Sequence, residues 1–260
     1  MTRAREVWRH LVEQYVVSNA VRPRLERPIS LYSSLELEAL LLRWMSAHRA
    51  LNAKTFQTAR EREFKITDAH RVHLGAGGRW LFVASSKAGI TYYDLDSDSS
   101  ESPSGVELIP NQIAHTCPSW VQVTIEDDMQ SPFVGFSVAF ALSSHEYSTG
   151  ATENWHHFQI WRVEAVLDGM QRVIGLKATQ IASFPHIHRI APHCSISLRG
   201  PHLAFHVMAA REYYVCVVDW RQANSLPSKY PFRVAQRASF PSVSLIYHSV
   251  SIMSANPFFI

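Results

Sequence analysis

The sequence predicts a mainly β protein with a short α-helical N-terminal segment, its β portion a partial β-propeller-like stack of antiparallel sheets. Three observations predict it. Apolar residues recur at three- and four-residue steps near the N-terminus. From about Val72 the recurrence changes to every second residue, and one strand–turn–strand layout then appears three times. The chain accordingly divides into a helical segment over 1–65 and a β-repeat region over 66–260.

In the helical segment, Val7, Trp8, Leu11, Val12, Tyr15 and Val16 fall on one face of a first helix. Arg22-Pro23-Arg24 and Arg27-Pro28 then break the pattern, because proline lacks a backbone donor and restrains the residue before it. Ser33, with Glu36 three residues later, forms a capping-box signal for a second helix. Leu37, Leu40, Leu41, Trp44, Met45 and His48 make its apolar stripe, which needs a partner surface because Trp and Leu are unfavourable in water.

The β region opens with Arg79 to Ala84 as a strand, Ser85 to Gly89 as a turn and Ile90 to Asp96 as the antiparallel return. Phe133 to Leu142 with Phe158 to Val163, and Pro201 to Val207 with Tyr213 to Trp220, repeat that layout. Shorter strands are expected at Trp120 to Ile125, Val173 to Phe184, Ser195 to Leu198 and Val243 to Ser249. Each second strand ends alike, in Tyr93-Asp94-Leu95, Ile160-Trp161-Arg162 and Val218-Asp219-Trp220. From Asp94 to Asp219 lie two repeats of roughly 60 residues, longer than common propeller blades, so long loops are required. Ser97 to Gly105 and Ser143 to Asn154 are polar enough to be such loops. Three or four blades fall short of a comfortable closed ring, which makes the stack partial.

Composition narrows the function. Apolar residues form 47% of the 260, so a core can be built, and the net charge of +3 is not concentrated in a basic patch of the kind nucleic acid selects. Runs such as Val138 to Leu142 and Tyr213 to Val218 are too short to span a bilayer, and Met1 to Leu11 lacks the apolar core of a signal peptide. Cys117, Cys194 and Cys216 make no C-x-x-C pair; they read as reduced, buried thiols of an intracellular protein, cytoplasmic or nuclear.

Motifs of the kinds that carry chemistry read here as structure. Gly75-Ala76-Gly77-Gly78 feeds a strand rather than a helix, so it is a tight turn and not a phosphate cradle. His186, His188, His193, His202 and His206 have no acidic neighbour to orient an imidazole, and no metal or other cofactor is expected. Gly135-Phe136-Ser137-Val138-Ala139 lacks the second glycine of a nucleophile elbow. Glu126-Asp127-Asp128 reads as a hairpin turn. Asp94 to Glu101 reads as a solvated loop, and Trp80, Tyr92, Tyr93, Trp161 and Trp220 as packing residues.

The order of these pieces resembles the F-box proteins expanded in mushroom-forming (basidiomycete) fungi. Arg5-Glu6-Val7-Trp8-Arg9-His10-Leu11-Val12 is similar to the close of an F-box, and Ser34 to Arg43 to the linker helix that follows it. Gly77 to Val83 with Tyr93-Asp94-Leu95-Asp96 resembles a first propeller blade, and Ile160 to Val163 and Leu198 to Ala204 resemble later ones. The resemblance implies a non-enzymatic substrate receptor of a cullin-type ubiquitin ligase that meets a Skp-type adaptor and binds a protein target. It also implies truncation within the F-box, leaving its final helix and the contact residues Trp8, Leu11, Val12 and Tyr15. Target contacts would fall on Ser97 to Gly105, Ser143 to Asn154 and Arg221 to Lys229. The alternative, a hydrolase or lyase on a propeller scaffold, is motivated by scattered His, Asp and Glu.

Overall fold

The structure, a computed structural model, describes residues 2–18, 23–52, 64, 66, 68–75, 77–97, 104–113, 119–128, 134–144, 156–186, 195–209, 212–225 and 231–236. Two helices come first, α1 (Thr2–Ser18) and α2 (Ser34–Asn52), with a 3-10 turn at Ile29–Leu31 between them. Among the described residues twelve strands follow, with a short α3 (Trp220–Ser225) before the last. They are β1 (Arg71–Leu74), β2 (Trp80–Ala84), β3 (Ile90–Asp94), β4 (Val106–Ile109), β5 (Ser119–Asp127) and β6 (Gly135–Ser144). Then come β7 (His156–Leu167), β8 (Val173–His186), β9 (Ser197–Arg199), β10 (His202–Ala209), β11 (Glu212–Asp219) and β12 (Phe232–Gln236).

Every described strand belongs to one of three four-stranded antiparallel meanders: β1 to β4, β5 to β8, and β9 to β12. They stack face on face in chain order, the arrangement of consecutive propeller blades. Arg71 Nη1 of β1 donates to the Val123 carbonyl of β5 at 2.6 Å, and β5 lies beside β9, so the leading strands gather at one margin. The trailing strands β4 and β8 meet at the other.

Two apolar cores lie between the sheets. Trp80, Phe82, Ile90, Tyr92 and Ile109 of the first sheet pack on Val121, Val123, Phe136, Val138 and Phe140 of the second. Ala139, Ala141, Phe158, Ile160 and Phe184 of the second pack on Leu198, Leu203, Phe205, Cys216 and Val218 of the third. The middle sheet is therefore buried on both faces, and that accounts for the unbroken apolar run of β6. Its phenylalanines point to one core and its alanines to the other, and Phe158 and Phe205, 4.6 Å apart, fill the space the alanines leave.

Two glycines allow close approach across the first sheet boundary. A Cβ on Gly75 would come within 2.7 Å of the Phe136 ring, and one on Gly175 within 2.8 Å of the Tyr92 hydroxyl, which accepts from the Leu176 N–H across the first sheet boundary. The tight turn at Gly75 to Gly78 forms as expected, with φ of 90° at Gly77 and 75° at Gly78 and a Gly78 N–H to Gly75 carbonyl bond.

Several local expectations are corrected. Glu126 and Asp127 are not a hairpin turn; they extend β5, and Asp128 ends the strand by donating to the Gly135 carbonyl. Trp220 begins α3 rather than ending a strand, because the Asp219 carboxylate caps the helix by accepting from the Arg221 and Gln222 N–H groups. Arg221 to Ser225 is therefore helical, and Asn224 fastens α3 to β8 through the Ser183 N–H and the Ile181 carbonyl. β4 and β12, where no strand was expected from the sequence, complete the first and third sheets. Val243 to Ser249, His188, His193, Cys117, Cys194 and most of the two long polar loops lie outside the described residues.

Phe136→Ala should cost about 3–5 kcal/mol, because a fully buried ring leaves a cavity that its tightly packed surroundings cannot collapse to fill. Urea unfolding of the variant against the native protein measures the loss. A difference under about 1 kcal/mol would mean that the two sheets do not share this core.

Candidate functional site

The connecting segment returns to the start of α1, where Arg5 meets Ser30 and Tyr32. α1 and α2 therefore lie side by side pointing the same way, with Tyr15 late in α1 reaching Trp44 in α2. This doubled-back helical hairpin has a small core of its own. Val12, Leu37 and Leu41 are buried, and Trp8, Tyr15, Val16, Leu25, Ile29, Tyr32 and Trp44 pack around them. Tyr15 and Trp44 stack at 6.0 Å. The capping box forms in full: the Ser33 N–H donates to Glu36 Oε2 at 2.7 Å, and the Glu36 N–H to the Ser33 hydroxyl at 3.3 Å. Burial acts to raise the Glu36 carboxyl, but the bonds from Ser33 and the Arg27 guanidinium at 2.5 Å outweigh it and hold the group below its ordinary value. Arg5 ties α1 to the connecting segment by donating to the Tyr32 and Ser30 carbonyls at 3.1 and 2.9 Å.

The four residues expected to meet an adaptor divide. Val12 is fully buried inside the hairpin, Trp8 and Tyr15 are half-buried against it, and Leu11, 37% exposed, is open to a partner. The helices expose further apolar side chains. Leu35 and Leu42, at 75% and 54% exposure, lie two turns apart on the side of α2 opposite Leu37, Leu41 and Trp44, with Met45 beside them. Met45 and His48 thus leave the stripe the spacing suggested: Met45 is 43% exposed and His48 is exposed. On α1, Val7 and Leu11 lie one turn apart on one flank.

Where the hairpin meets the sheets, arginine dominates. Arg24 donates to the Asp128 carbonyl and Arg27 to the Gln171 carbonyl, while Arg43 of α2 pairs with Asp96 just past β3. Arg79, immediately before β2, makes the densest set of bonds. Its guanidinium is bidentate to Asp94 at 3.0 and 2.7 Å, reaches Glu26 at 2.6 Å and the Val173 carbonyl at 3.3 Å, and lies 4.4 Å over the Trp80 ring. Burial alone would lower its proton affinity; Asp94 and Glu26 more than reverse that, so it stays charged. Glu26 moves upward from its ordinary value because burial outweighs the attraction of Arg79. None of these arginines was singled out by the sequence reading, which met Arg24 and Arg27 as neighbours of helix-breaking prolines and Arg79 as part of a strand.

Between the connecting segment and the middle sheet is a cleft of about 260 Å³. Glu26, Arg27, Asp128, Arg162 and Glu164 supply charge to its wall, and Phe136 and Val163 supply apolar surface. Arg162 lies 3.5 Å from both Asp128 and Glu164. Elsewhere, burial alone raises the Cys216 thiol to about 12, which keeps it a neutral, unreactive packing group. Among the described residues, no group of three His, Cys, Asp or Glu side chains is placed to hold a metal ion, and no helix is long and apolar enough to cross a membrane. Comparison with protein-family models, curated proteins and solved structures returns no match, so the functional reading rests on the residues themselves.

Two outcomes follow from the arginine contacts. A carboxyl whose folded pKa is raised favours the folded state below its unfolded value, and loses that contribution as pH rises through the folded one. Glu26→Gln should therefore flatten the gain in stability on mild acidification above about pH 4.5, seen by comparing urea midpoints of the two proteins across pH. A Glu26→Gln profile parallel to the native one would contradict the raised carboxyl. Arg79→Ala, which strands Asp94 and Glu26 in a partly buried setting, should cost about 2 kcal/mol or more in the same assay.

Proposed function

We propose that this chain is a non-enzymatic protein-interaction module of the cytoplasm or nucleus: an F-box-like substrate receptor of a cullin-type ubiquitin ligase. In this reading the helical hairpin meets a Skp-type adaptor and the sheet stack holds a protein target. The observation that carries it is the division of apolar residues on the hairpin. Val12, Leu37 and Leu41 suffice for its own core, while Leu35, Leu42, Met45, Val7 and Leu11 remain in water on helical faces. Exposed apolar side chains at helical spacing are what a helix offers to an apolar groove on a partner. Leu11 is the adaptor contact this reading keeps from the original four; Trp8, Val12 and Tyr15 support it from beneath.

The stack suits the second task. A middle sheet buried on both faces fixes the ends of its strands, and binding residues concentrate on connections borne by such a scaffold. The loops following Asp96 and Ser144 and the segment from Arg221 are the target-facing elements of the proposal.

Capture by a purified Skp-type adaptor is the deciding measurement. The native chain should be retained, and Leu11→Glu combined with Leu42→Glu should lower retention about tenfold. Because both positions are exposed, the melting temperature should move by no more than about 2 °C. Val12→Asp should lower both retention and melting temperature, since it buries a charge. No retention of the native chain, or retention indifferent to Leu11 and Leu42, would defeat the proposal.

A further inference from the structure

We infer that the helical hairpin and the sheet stack are two bodies joined by a polar seam, and that the seam opens as a unit while each body stays folded. This does not depend on the function proposed above. The hairpin core and the sheet cores share no residue. Across the boundary run guanidinium bonds from Arg24 to the Asp128 carbonyl and Arg27 to the Gln171 carbonyl, and ion pairs of Arg79 with Glu26 and Arg43 with Asp96. Among the described residues one backbone bond joins them, from the Val134 N–H to the Leu25 carbonyl at 2.8 Å.

Contacts of this kind hold an orientation without much apolar burial behind them. A boundary with little apolar burial leaves relative motion of the two bodies as the default. The Arg43–Asp96 pair is largely exposed and therefore weak. The cleft of about 260 Å³ lies in the seam itself, between Glu26, Arg27 and Pro28 on one side and Phe136, Val163, Ala165 and Leu167 on the other, so packing there is incomplete. Within the two bodies the picture reverses: α1 and α2 pack directly on each other, and every sheet is joined to its neighbour through an apolar core. The weakest boundary in the molecule is the one held by charge.

Hydrogen exchange on the full chain tests this, with three backbone amides as reporters: Val134 in the seam, Phe140 in the middle sheet and Leu41 in α2. Salt of about 1 M shortens electrostatic reach to about 3 Å and weakens ion pairs, so Val134 should exchange about fivefold faster or more than at low salt. Phe140 and Leu41 should not follow it. At low salt, Arg24→Ala combined with Arg43→Ala should reproduce the acceleration at Val134 alone. A Val134 rate indifferent to salt and to both substitutions, or one that changes in step with Phe140 or Leu41, overturns the inference.

Discussion

Phe82 and Phe136 meet edge to face at 4.8 Å across the boundary between the first and second sheets, and the order of the molecule is built outward from that burial. A four-stranded antiparallel sheet with one apolar face is not stable alone in water; it must cover that face. The first and third sheets each cover theirs on the middle one, which has two apolar faces to give. Removing the middle sheet would leave both partners with exposed phenylalanines. Gly75, Gly175 and the Tyr92 hydroxyl matter because they let the backbones come close enough for this packing.

The helical hairpin obeys a different constraint. Its apolar residues are few, and those that pack inward are consumed by the contact between α1 and α2. What remains to join it to the sheets is charge, and arginine serves because one planar guanidinium can satisfy several acceptors at once. Arg79 shows the consequence most fully, bonding to the connecting segment, the first sheet and the second sheet while stacking on Trp80. The functional reading and the seam both follow from this division of labour. Apolar side chains left over on the helices face outward, and Arg24, Glu26, Arg27 and Arg43 reach the stack.

Much of the local structure was legible because its signals are local. Ser33 with Glu36 forms the box its spacing announces, the glycine turn precedes β2, and the change of apolar period near Val72 falls within a residue of the start of β1. Other elements were hidden for physical reasons. β4 and β12 are edge strands of four and five residues, in which Val106-Glu107-Leu108 and Phe232-Arg233-Val234 alternate over three positions only, too short a pattern to mark a strand until a neighbour supplies the hydrogen bonds. In the candidate site, Val12 and Leu11 are adjacent in sequence and share one apolar stripe, yet one is buried and the other open. The choice between them depends on where α2 lies.

By itself, the sequence determined the helical beginning, the antiparallel β region, the strand–turn–strand repeats and the apolar residues available for cores. These are set by periodicity, capping and turn chemistry, which act within a few residues. Tertiary structure alone decided which face of each sheet met which neighbour, that the middle sheet is covered twice, and that Arg24, Arg27, Arg43 and Arg79 converge on one seam. Those pairings join residues dozens to more than a hundred positions apart, and a guanidinium carries no mark in sequence of the carbonyl or carboxylate that folding will bring to it.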